Sequence, residues 1–151
     1  MIYNALIQPV FDYCDVVWGN LNKGLSSRIQ KLQNRAARIV TFQGYDVRSA
    51  DLLKYLNWDN LALKRDKHLS LLMYGTINHN VPKYLSDLFS KCSECNSCKS
   101  RLGESDLNVT MNYISNTEKH KGSFSYRGAK LWNYKIIMKY FIIHVLYFLY
   151  V

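Results

Sequence analysis

Apolar residues recur at helical spacing through the first ninety residues of the chain. Between residues 3 and 18, two stripes each repeat at intervals of four, three and four positions, the spacing of a helix face. The stripes are Leu6, Val10, Tyr13, Val17 and Ile7, Phe11, Cys14, Trp18. This pattern predicts a helix buried over most of its circumference. Pro9 is expected to kink it or to mark its first turn, and Gly19 and Asn20 to end it.

The clearest helix is predicted over residues 25–40, where apolar positions alternate at four and three residues. They are Leu25, Ile29, Leu32, Ala36 and Ile39. This stripe is expected to face the core. Ser26 and Ser27 suit the start of the helix, and Gly44 is expected to end it.

Three further helices are predicted before residue 90. The first follows Ser49 as its N-cap, the second is capped by Asp59 or Asn60, and the third begins at Pro82, which is tolerated in a first helical turn. Their inward positions are expected to be Leu52, Leu53 and Leu56, then Leu61, Leu69, Leu72, Met73 and Ile77, then Leu85, Leu88 and Phe89.

Polar residues take over after residue 90. Residues 91–133 are predicted to be loop-rich, with a short strand around 107–109 and an aromatic-anchored short helix over 124–132. Residues 134–151 form an atypical apolar tail, shorter than the ~20 residues of a membrane-spanning helix, so no membrane partner is expected. The predicted fold is therefore all-α: a small helical bundle over 2–90, a long irregular segment and a short C-terminal helix.

Charge adds a functional hypothesis to this fold. Lys and Arg total 20 against 11 acidic residues, a net charge of +9 that favours polyanionic partners. Four cations precede residues of the second helix's apolar stripe and so form a parallel row about 100° around it. They are Arg28, Lys31, Arg35 and Arg38. The row is predicted to contact the phosphates of an RNA or DNA duplex; the alternative is a solvated helix face.

The cysteines suggest a metal site but do not complete one. Cys92, Cys95 and Cys98 are spaced C-x2-C-x2-C, and His120 or His79 offers a fourth ligand. A nearby fourth cysteine is absent, and we predict unligated thiols in an open loop. Four cysteines in 151 residues are too few for a disulfide scaffold, which favours a reducing, intracellular compartment.

No pattern of catalytic residues stands out. Asp12 and Asp15 are three positions apart and could hold a divalent cation, or could form the polar edge of a buried helix. The histidines are scattered, and the chain has no glycine-rich phosphate loop. We therefore expect no catalytic residue, no cofactor and no small-molecule substrate; the oligomeric state is not predicted.

Several motifs, taken in order, resemble one protein family. They are Leu6-Ile7-Gln8-Pro9 with Phe11-Asp12-Tyr13-Cys14-Asp15-Val16-Val17-Trp18-Gly19, then Leu32-Gln33-Asn34-Arg35-Ala36-Ala37-Arg38, then Tyr55-Leu56-Asn57-Trp58, then Leu107-Asn108-Val109 with Ser123-Phe124-Ser125-Tyr126-Arg127-Gly128-Ala129-Lys130-Leu131-Trp132-Asn133. Together they are similar to the C-terminal portion of reverse transcriptases from non-long-terminal-repeat retrotransposons of the jockey type. The resemblance covers about residues 3–133.

The resemblance implies a role in a larger polymerase. In that family the matching region follows the catalytic palm and includes the helical thumb that grips the template–primer duplex. The basic row would then face nucleic acid, and a nuclear location would follow. The palm's paired aspartates are absent, because no two aspartates are adjacent in this chain. The expectation is thus a truncated, non-catalytic thumb-like fragment; a helical protein-interaction module or an inert relic of a mobile element is the alternative.

Overall fold

The computed structural model of the protein describes residues 2–91, 109–111 and 117–134. Most of these residues are α-helical, which confirms the predicted all-α fold class. The chain divides into two compact units, Met1–His68 and Leu69–Val151. The division falls within a helix, whereas the sequence pattern placed a boundary after residue 90. Apart from the helical Tyr134, the predicted apolar tail lies outside the described residues.

The first unit is built from helices joined by short connections. A π-helical turn, Tyr3–Ile7, leads into α1 (Gln8–Asp12) and α2 (Asp15–Trp18). They are followed by α3 (Lys23–Thr41), α4 (Ser49–Tyr55) and the start of α5 (Leu61–Ile77). Asparagine side chains cap the two long helices: Asn22 accepts from the Leu25 amide of α3, and Asn60 from the Leu63 amide of α5.

The predicted long N-terminal helix is wrong in its continuity and its burial. Pro9 lies in the first turn of α1, as predicted, but the helix breaks at Tyr13 and at Cys14, whose φ is 51°. Leu6, Val10, Tyr13 and Val17, one of the two stripes, are exposed. The segment packs instead through Tyr3, which stacks on Trp58, and through Asp15, which pairs with His68; both are buried.

The predicted inward face of α3 is also wrong. Leu32 is 58% exposed and Ile39 is 67% exposed, whereas Gln33 and Ala37 are buried. The buried face carries amides that hydrogen-bond to the start of α5. Gln30 accepts from the Leu61 amide at 3.0 Å, and Gln33 donates to the Asp59 carbonyl at 3.0 Å. Because both glutamines satisfy backbone groups, their burial is compatible with stability.

The apolar core of the first unit lies between α3 and α4. Ala37 of α3 packs with Leu52 and Leu53 of α4, and half-buried Leu56 and Trp58 extend the cluster. The indole of Trp58 stacks on the Tyr3 ring, with centroids 3.8 Å apart. The predicted short helix and its inward leucines are therefore confirmed. The predicted N-cap is wrong, because Ser49 is the first helical residue and Arg48 is the N-cap.

The second unit contains the remainder of α5, then α6 (Lys83–Ser86), β1 (Phe89–Lys91), β2 (Val109–Met111), α7 (Glu118–Lys121) and α8 (Phe124–Tyr134). The strands pair antiparallel, with Phe89 opposite Met111. Met73 of α5 packs with Ala129 and Trp132 of α8. Every helix among the described residues is too short or too polar to span a lipid bilayer.

Candidate nucleic-acid interface

Three of the four cations that are predicted to contact nucleic acid lie on the solvent side of α3. Arg28, Lys31 and Arg35 are exposed, on the side of the helix away from buried Gln33 and Ala37. Within the described ranges, none of the three forms an ion pair. They extend over residues 28–35, about 10 Å of helix axis at ~1.5 Å per residue. We call these three residues the exposed basic row.

The fourth cation, Arg38, has a different environment. It is half-buried, and its Nη2 donates to the Val47 carbonyl at 3.1 Å and to the Ser49 hydroxyl at 3.3 Å. Its guanidinium lies 5.0 Å from the centre of the Tyr45 ring. Arg38 therefore links the end of α3 to the start of α4 by hydrogen bonds. This role could not be inferred from its position in the helix alone.

An apolar stripe borders the exposed basic row on the same helix. Leu25, Leu32 and Ile39 repeat every seven residues and are all exposed. At 3.6 residues per turn they lie about 50° around the axis from Arg28 and Arg35. The solvent face of α3 thus offers cations and an apolar edge side by side.

A second group of ionisable side chains gathers around α5. Asp12 forms an ion pair with Lys64 at 3.0 Å, and Asp15 Oδ2 lies 2.6 Å from His68 Nδ1. The sequence pattern singled out both aspartates but not their partners. The available signal was the four-residue spacing of Lys64 and His68, which places a cation and an imidazole on one face of a helix.

A polar cavity of about 350 Å³ lies within the first unit. Side-chain amides dominate its lining, which comprises Asn4, Gln8, Gln33, Asn57, Trp58, Asp59 and Lys64. Tyr3 adjoins this region through its stack on Trp58. Burial raises the pKa of the Tyr3 hydroxyl above its ordinary value; the Gln33 side chain opposes the rise and the Asp12 carboxylate adds to it.

The cysteine candidates Cys92, Cys95 and Cys98 lie outside the described residues. Of the histidines considered as their fourth ligand, His79 is exposed and His120 half-buried. The predicted absence of a metal there stays a prediction.

Comparison of the chain with protein-family models, with curated proteins and with solved structures finds no match. The resemblance to reverse transcriptases therefore rests on the motifs alone. Several motif residues have packing or hydrogen-bonding positions: Asp15, Gln33, Ala37 and Trp132 are buried, and Gly19 lies against α5.

Proposed function

We propose that this chain binds the sugar–phosphate backbone of a nucleic-acid duplex through α3, as a non-catalytic thumb-like part of a retrotransposon RNA-directed DNA polymerase. The observation that supports this most is the exposed basic row, whose cations have no acidic partner among the described residues. The network of Gln30 and Gln33 fixes the opposite face of α3 against α5. A helix held in this way presents its cations at constant spacing.

The expected binding is independent of base sequence. Arginine and lysine side chains on one helix face contact phosphates through their charge. Binding releases the salt cations that are condensed on these phosphates, so affinity falls as the salt concentration rises. Three phosphate contacts correspond to a slope of log affinity against log salt of about −2.7, at ~0.9 per phosphate. Arg38 adds little to this slope, because its side chain is half-buried and its Nη2 already donates to Val47 and Ser49.

The experiment measures duplex affinity at several salt concentrations with the full chain. An RNA–DNA hybrid and a DNA duplex of the same length serve as probes. The variant Arg28→Ala/Lys31→Ala/Arg35→Ala is expected to lose affinity for both duplexes and to flatten the slope by about two to three.

A matched control removes three exposed cations from other elements. Arg48, Lys54 and Lys83 lie outside α3 and are exposed, so their replacement by Ala lowers the net charge equally. The control should change the slope by less than the α3 variant does. Equal slopes for the two triple variants would contradict a specific role for α3 and indicate attraction by net charge alone.

A protein-interaction module is the second candidate, favoured by the exposed stripe of Leu25, Leu32 and Ile39. Contiguous apolar residues on a surface mark contact sites for other proteins. Apolar contacts predict association that persists in high salt. Concentration-dependent sedimentation that disappears in Leu32→Asn/Ile39→Asn, together with salt-independent duplex affinity in the native chain, would favour this candidate.

A further inference from the structure

Three metal-ligating side chains converge in the first unit, outside the exposed basic row. A carboxylate oxygen of Asp12, a carboxylate oxygen of Asp15 and a ring nitrogen of His68 all lie within 4.8 Å of one another. Asp15 is 3% exposed, whereas the side chains of Asp12 and His68 are each about 30% exposed. The group therefore has a buried side and a side open to water.

The interruption of the helix at Cys14 accounts for this arrangement. Asp12 ends α1 and Asp15 begins α2, and the left-handed backbone at Cys14 separates the two helices. Their carboxylates meet two successive turns of α5, at Lys64 and His68. Both aspartates thus approach one helix face, although they are carried by different helices.

The charges of this group are incompletely balanced. Two carboxylates face one ammonium group, that of Lys64, and an imidazole that carries a positive charge only when protonated. A buried carboxylate requires a charged or strongly hydrogen-bonding partner. A cation bound between Asp12, Asp15 and His68 would add positive charge beside both carboxylates.

We propose that Asp12, Asp15 and His68 bind one divalent first-row transition-metal ion, of the Zn²⁺ class. One imidazole nitrogen with two carboxylate oxygens is a ligand set used for zinc, which takes such ligands at ~2.0–2.2 Å. Ligand atoms around such an ion lie about 3.3–3.5 Å apart if tetrahedral. Binding therefore requires His68 Nδ1 and Asp15 Oδ2 to separate from 2.6 Å, and any pair of ligand atoms that is wider than about 3.5 Å to close.

The Gln8 side chain supports the Asp12 ligand. Gln8 Nε2 donates to Asp12 Oδ1 at 2.8 Å, and a hydrogen bond of this kind orients a metal-binding carboxylate. The other oxygen, Oδ2, lies 3.0 Å from Lys64 Nζ. Gln8 and Lys64 also line the polar cavity. Three protein ligands leave at least one coordination position open.

Replacement of Lys64 distinguishes a metal site from a purely structural ion-pair cluster. Its ammonium group competes with a metal ion for Asp12, since two cations close together repel each other. Lys64→Met should therefore tighten metal binding about tenfold. A structural ion pair predicts only that the same variant loses stability.

The test titrates the full chain with Co²⁺, a spectroscopic substitute for Zn²⁺. To exclude thiolate ligands, Cys14, Cys92, Cys95 and Cys98 are replaced by Ser in a parallel preparation. Both preparations are expected to bind one Co²⁺ with visible absorption bands that Zn²⁺ removes. Absence of such bands, or their loss in the cysteine-free chain, would overturn the proposal.

Variants locate the ion within the cysteine-free chain. Asp12→Asn and His68→Gln should each weaken Co²⁺ binding about 100-fold, and circular dichroism should show that their helices persist. Asp51→Asn, an exposed acid in α4, is the matched control and should bind Co²⁺ normally. Equal affinity in all three variants, or no tightening in Lys64→Met, would overturn the site.

Discussion

The two units of the chain stabilise their helices by different means. In the second unit, Met73, Ala129 and Trp132 form an apolar core at positions that face inward. In the first unit, α3 turns Gln33 inward and leaves Leu32 exposed. Where helix faces meet through side chains alone, hydrophobic spacing identifies the buried face. Where a helix must satisfy backbone groups of its neighbour, hydrogen bonding can select the polar face instead.

The largest effect is expected in the apolar core of the second unit. Trp132→Ala removes a buried indole and should lower the free energy of unfolding by about 3–5 kcal/mol. Urea unfolding followed by circular dichroism measures the change. Tyr84→Ala, which truncates an exposed aromatic side chain in α6, is the control and should cost less than about 0.5 kcal/mol. Comparable losses in both variants would contradict a core centred on Trp132.

Gly128 tests how closely α8 approaches α5. A Cβ at this position would overlap Met73 Sδ and lie 3.0 Å from Met73 Cγ. Met73 is fully buried, so Gly128→Ala should destabilise by about 1–3 kcal/mol despite the better helix propensity of alanine. A more stable Gly128→Ala variant in thermal unfolding would show that this contact is looser than described.

Replacing the neighbouring residues Leu32 and Gln33 tests directly which face of α3 is buried. Gln33→Ala removes the donor to the Asp59 carbonyl and should cost about 1–3 kcal/mol. Leu32→Ala should cost less than about 0.5 kcal/mol, because this leucine is mostly exposed. Urea unfolding of both variants gives the order of the two effects. The reverse order would indicate that the face predicted from hydrophobic spacing is the buried one.

The smallest effect concerns alkaline pH. Burial raises the pKa of Tyr3, so the folded chain holds this proton more tightly than the unfolded chain. The resulting stabilisation is complete below the unfolded value of about 10 and is lost as pH rises through the higher folded pKa. Tyr3→Phe should reduce the fall in unfolding free energy between about pH 9 and pH 11. Identical pH profiles would remove Tyr3 as the cause.

Much of the helix pattern could be predicted from the sequence. Leu52, Leu53, Leu69 and Met73 are buried as expected, and Asn60 caps α5. These positions are set by local spacing and capping chemistry, which a sequence displays directly.

The burial of the polar face of α3 and the hydrogen bonds of Arg38 could not be predicted in this way. The burial of Gln33 depends on a carbonyl twenty-six residues away, at Asp59. The role of Arg38 depends on how the chain between α3 and α4 returns to Val47 and Ser49. Such partners are long-range, and helical periodicity contains no information about them.

The most direct test of a duplex-binding face on α3 compares Arg35→Ala with Arg38→Ala, measuring the salt dependence of duplex affinity and the free energy of unfolding. Arg35→Ala should flatten the slope of log affinity against log salt by about one and leave stability nearly unchanged. Arg38→Ala should lower the unfolding free energy by about 1–3 kcal/mol and leave the slope nearly unchanged. A slope unaltered by Arg35→Ala, or altered equally by both variants, would contradict the account.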